Sequence, residues 1–121
     1  MSENKLNRRL QALQQRVDLV QALMSFLKKH PAIVPYCTLK PMSTGTGLYF
    51  EEKGFIRPVW NNGPTLRLER YIEDWENDGD RRIVSDNISA ISPDDLAHLL
   101  KEELKVDLSK KPGWEEGNDE D

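Results

Sequence analysis

The residues best placed for metal chemistry are Asp74, Glu76, Asp78 and Asp80, alternate acids around Gly79. Oxygen ligands at alternate positions, with glycine at the sharp turn, follow the spacing of a calcium loop. Such a loop closes with a bidentate glutamate at its twelfth position, and this chain has Ser85 there. The flanks also pattern as strands, so the segment reads as a solvated hairpin turn. Ser43-Thr44-Gly45-Thr46-Gly47 offers backbone N–H groups of the kind that cradle an anion. A phosphate cradle needs a helix N-terminus and a lysine after it, and here a strand pattern follows. His30 and His98 stand in separate elements, with no cysteine or acid at zinc-ligand spacing. Cys37 is the lone cysteine. With no base patterned near it, it reads as a small buried hydrophobe and not as a nucleophile. Arg57, Tyr71 and Glu73 are the residues a small enzyme or ligand-binding domain would use to line a pocket. No cofactor is expected.

Recognition chemistry is better represented. Along 65–75, Arg67, Glu69, Tyr71, Glu73 and Trp75 alternate with Leu66, Leu68 and Ile72. Period-two alternation puts the two sets on opposite faces of a strand. Arginine, tyrosine and tryptophan are the types enriched where protein interfaces hold most of their energy. This row is therefore the expected protein-binding surface, on a sheet face left open. The register stays undecided, because a slip of one residue exchanges the faces.

A second surface lies near the start of the chain. Leu6, Leu10, Leu13, Val17, Val20, Met24 and Leu27 recur at alternating spacings of four and three. That repeat draws one apolar stripe along a helix. From Leu19 the stripe widens to include Ala22, Leu23 and Phe26, as for a helix packed on a sheet. The narrower half, Leu6, Leu10, Leu13 and Val17, is expected to mediate self-association.

These surfaces need elements to hold them. Residues 5–29 contain good helix formers and no glycine or proline, and Pro31 follows. The pattern predicts one long helix there. Strands are expected within 36–89, at 36–40, 46–53, 55–60, 65–75 and 81–89. They are divided by Pro41 and Gly45, Gly54, Asn61-Asn62-Gly63-Pro64 and Asn77-Asp78-Gly79-Asp80. Ser92-Pro93-Asp94-Asp95 is a helix start, with a capping serine, proline at the first turn and acids behind it. Leu96, Leu99, Leu100 and Leu104 carry that helix over 92–105. Segment 109–121 is expected to be a disordered acidic tail, with Trp114 as its one aromatic residue. The fold class is α+β: a long N-terminal helix, an antiparallel meander of four to five strands and a C-terminal helix. Both helices lie on one sheet face, and residues 1–108 form a single domain.

Composition narrows the function. The chain has 121 residues and a net charge of −4. Within 1–30, Lys5, Arg8, Arg9, Arg16, Lys28 and Lys29 outnumber Glu3 and Asp18, which leaves that segment basic and the rest acidic. A general nucleic-acid binder needs a basic excess overall, so nucleic acid is a disfavoured partner. No run of apolar residues is long enough to span a membrane, and a lone cysteine suits a reducing compartment. The cytoplasm is expected. The expected function is a non-enzymatic, acidic protein-binding module of the inhibitor, immunity or accessory kind, acting through the sheet face and through helix-mediated homodimerisation. The alternatives are a nucleic-acid-associated factor using the basic helix, and a small enzyme or ligand-binding domain.

Overall fold

The computed structural model describes residues 2–42, 45–51, 53–72 and 81–110. Helix α1 runs over Ser2–Lys29. It ends where the His30 N–H donates to the Phe26 carbonyl at 2.9 Å and Pro31 can donate no further bond. Strand pairing was expected from residue 36, but Pro31–Tyr36 forms a 3-10 helix. Two prolines, Pro31 and Pro35, fix φ and remove ladder donors, while Ile33 is buried as the anchor of the turn.

Five strands follow among the described residues: β1 Thr38–Met42, β2 Gly45–Phe50, β3 Gly54–Trp60, β4 Pro64–Tyr71 and β5 Arg81–Ser85. They form one antiparallel sheet in the order β1-β2-β3-β4-β5. The β3–β4 turn uses Asn62 and Gly63, both at positive φ, as its Asn-Gly sequence demands. The last strand was expected to reach residue 89 and stops at Ser85. Beyond it the chain folds back, and the Ile88 N–H donates to the Leu66 carbonyl at 2.9 Å, burying Ile88.

Helix α2, Pro93–Leu99, starts as its sequence dictates: Ser92 Oγ accepts from the Asp95 N–H at 3.1 Å. The expected regular helix to 105 opens instead into a π turn, Leu100–Leu104. Lys105 takes φ 59, and both its N–H and that of Val106 reach the Leu100 carbonyl. The wider turn swings Val106 back into the core. Tyr36 then ties down the chain that follows. Its hydroxyl donates to the Lys110 carbonyl and lies 3.0 Å from that of Leu108. Ser109 and Lys110, assigned to the tail on sequence, are therefore held against the domain. Trp114 and the rest of the acidic tail lie outside the described residues.

Leu23 and Phe26 of α1, together with Leu96, Leu100 and Leu104, cover Leu48, Phe50, Ile56, Leu66 and Leu68 on one sheet face. This is the expected two-layer packing. Gly54 is required for it. A Cβ there would lie 2.5 Å from the Glu69 carbonyl oxygen and 2.6 Å from Leu104 Cδ2. His30 is buried at the end of α1, its ring 4.4 Å from that of Phe26.

Candidate interaction surfaces

The register of β4 resolves the question of faces. Leu68 pairs with Ile56, and Leu66 with Pro58, on the helix-covered side. Arg67, Glu69 and Tyr71 therefore point to the opposite side, as the alternation suggested. Glu73 and Trp75, the other two members of the expected row, lie outside the described residues, as do the acidic turn 74–80 and the Ser43-Thr44 pair.

The face away from the helices is not a bare row of side chains. Phe55 sits at its centre and is fully buried. Tyr49 stacks on it at 5.3 Å between ring centroids, Tyr71 tilts against it at 5.6 Å, and the Arg81 guanidinium lies over it at 5.5 Å. Glu69 pairs with Phe55 across the strands and is also buried. Its carboxylate receives Arg57 Nε at 2.5 Å. Arg67 Nε donates to Asp86 Oδ1 at 2.5 Å, and Lys40 Nζ lies 5.4 Å from the Tyr49 ring. Burial first, and then the hydroxyl bond with Tyr49, push the Tyr71 phenol up to about 12. Glu69 thus belongs to a small second core and is not available to a partner. Arg67 and Tyr71 are half-buried, so the surface they offer is narrower than the alternation alone implied.

This layer also contains residues the sequence reading left out. Tyr49, Phe55 and Arg81 could have been found by extending the same alternation to β2, β3 and β5, where Phe55, Arg57 and Val59 share one side. Of the three proposed pocket residues, Arg57 is committed to Glu69 and Tyr71 to Phe55, and Glu73 is not described. Cys37 is half-buried, and burial pushes its thiol up to about 11, which suits packing and not attack. His98 is exposed on α2, 4.0 Å from Glu102. Among the described residues, no group of histidine, cysteine and acid side chains is gathered to hold a metal ion.

The seam on α1 has a different geometry. Leu6, Leu10, Leu13, Val17, Val20 and Met24 are between 44% and 56% exposed. Leu23 and Phe26, which face the sheet, are 1% and 3% exposed. At about 100° per residue, the seam is centred about 130° around the helix from that sheet-facing pair. It is not the uncovered end of the core stripe. It is a second stripe through Met24, exposed at Val20 and Met24 beside the turns that pack on the sheet; its last member on sequence, Leu27, is half-buried and packs against the core instead. Cations border it at Arg9 and Arg16, and both are exposed. Among the described residues no helix is long and apolar enough to cross a membrane. No family model, curated protein or solved structure matches this chain.

Proposed function

We propose that the chain is a non-enzymatic protein-binding module of the cytoplasm, and that its main working surface is the α1 seam. One observation carries this reading: six apolar side chains in four-three spacing stand half-exposed on a helix face turned away from the core. Among the described residues the core is filled without this stripe, and a contiguous exposed apolar surface is characteristic of an interaction site. A helix face with anchors at this spacing docks best against another helix.

The test is capture of partners from the source cell with the full chain and with a Leu10→Asp, Val17→Asp variant. The expected result is a protein retained by the native seam and lost from the variant, and not released by raising salt. Identical bound sets for both would remove the reading. A bound set dominated by RNA or DNA and released by salt would favour the nucleic-acid alternative instead.

A second contact through the sheet face away from the helices is supported by Lys40 beside Tyr49 and by the half-buried Tyr71, Arg67 being already paired with Asp86. This arrangement favours an acidic partner surface. Lys40→Glu should weaken such a contact without altering the seam.

A further inference from the structure

We propose that the occupant of the seam is a second copy of this chain, with the two α1 helices parallel and in register over residues 6–24. The proposal rests on the seam reading above and names its partner.

The spacing assigns Leu10, Val17 and Met24 to one set of layers and Leu6, Leu13 and Val20 to the other. In heptad terms these are a and d positions. Leucine at d with a β-branched residue at a favours two parallel strands; Leu6 and Leu13 at d and Val17 at a follow that rule, whereas Leu10 and Met24 at a and Val20 at d depart from it. In the parallel pair, Arg9 flanks the partner's Gln14 and Arg16 flanks the partner's Gln21. Neither contact sets like charges together. The Gln14 amide already donates to Asp18 Oδ1 at 2.9 Å within its own helix. Its carbonyl oxygen is left to accept from an arginine. The antiparallel pair with the same overlap brings Arg16 against the partner's Arg16, with Leu6 level with Met24.

Two further features fit a copy of the same chain. The seam is centred about 130° from Leu23 and Phe26, so a helix laid along it over residues 6–20 approaches α1 from a side the sheet does not occupy. Six half-exposed aliphatic side chains from each copy bury on the order of 1,000 Å² together, about the lower limit for a specific interface. The flanks carry a distinctive electrostatic signature. Each helix brings an excess of cations, so added salt should tighten the pair by screening repulsion. A complex with an acidic helix or a nucleic acid would loosen instead.

Sedimentation equilibrium of the full chain at micromolar concentration should show a species of twice 14.0 kDa. It should be more populated at moderate than at low salt. Val17→Asp should be monomeric and still fold cooperatively, because Val17 is exposed in the single copy, and its thermal midpoint, unlike that of the native chain, should not rise with protein concentration. A chain carrying Cys37→Ser and Leu6→Cys should oxidise to a covalent dimer, since position 6 meets its own counterpart only in the parallel pair. In the antiparallel pair the two positions lie about 27 Å apart. A dimer that fails to cross-link overturns the parallel arrangement. A native chain that stays monomeric overturns self-pairing altogether, while the seam-dependent capture experiment still decides whether the seam binds another protein.

Discussion

Arg57 Nε lies 2.5 Å from Glu69 Oε2 across neighbouring strands, one step diagonal from the pairing of Glu69 with Phe55. The acid is the more deeply buried partner, at 6% side-chain exposure against 21% for the arginine. Burial of a carboxylate costs stability unless a cation stays beside it. Arg57→Met should therefore lower stability by about 3 kcal/mol. Glu69→Gln, which leaves a neutral amide in the same place, should cost about 1–2 kcal/mol. The double variant should be more stable than Arg57→Met alone. Urea midpoints of the three chains check this, and an Arg57→Met chain as stable as the native one would show that the pair contributes nothing.

Gly54→Ala should destabilise by about 1–3 kcal/mol through overpacking. One obstacle is the end of the Leu104 side chain, which can move. The other is the Glu69 carbonyl oxygen, which belongs to the sheet ladder. Trimming Leu104 to alanine should therefore fail to rescue Gly54→Ala. Rescue in a thermal melt would place the strain in the helix and not in the backbone.

His30 should make stability depend on pH. Burial, aided by the nearby Lys29 charge, holds its pKa below 6.5, and the Ile91 backbone opposes only part of this. Neither ring nitrogen has a partner at full hydrogen-bond geometry. Well above pH 6.5 the ring is neutral in both folded and unfolded chains, and pH has no effect through it. As pH falls below 6.5 the unfolded chain takes up the proton first, so stability falls until the folded pKa is passed. His30→Phe should flatten this slope in denaturant melts between about pH 7 and 5. An unchanged slope would assign it to other groups.

Tyr71 should produce the mirror effect in alkali. Its phenol is raised from 10.0 to about 12, so above pH 10 the unfolded chain loses the proton first and stability falls as pH rises. Tyr71→Phe should remove this loss. Tyr71→Ala should cost about 1–3 kcal/mol at neutral pH, less than truncation of a fully buried aromatic residue, because the ring keeps some exposure. A larger loss would make Tyr71 core and not surface.

Much of this architecture was legible because it is written in local rules. The cap at Ser92, the turn at Asn62-Gly63 and the proline after α1 are each decided within a few residues. The alternation in β4 also placed Leu66 and Leu68 on one side and Arg67 and Tyr71 on the other. What was missed depends on residues far apart in the chain. Glu69 looked like a surface acid because its cation, Arg57, comes from another strand. The π turn at Leu100–Leu104 follows from returning Val106 to the core, and local propensity carries no sign of that demand. Nor does the heptad spacing of α1 say that its seam and its core stripe are separate. Their separation lies in the exposure of Val20 and Met24 beside a buried Leu23.

The strand order has a kinetic consequence. Among the described residues each strand pairs only with its neighbours in sequence, so the rungs of the ladder close short loops. Low separation between contacting residues favours rapid folding, and the meander can form hairpin by hairpin. The distant step is the docking of Leu23 and Phe26 on the surface that β3 and β4 supply. Substitutions in the β3–β4 hairpin should therefore slow refolding, whereas Phe26→Leu should mainly hasten unfolding.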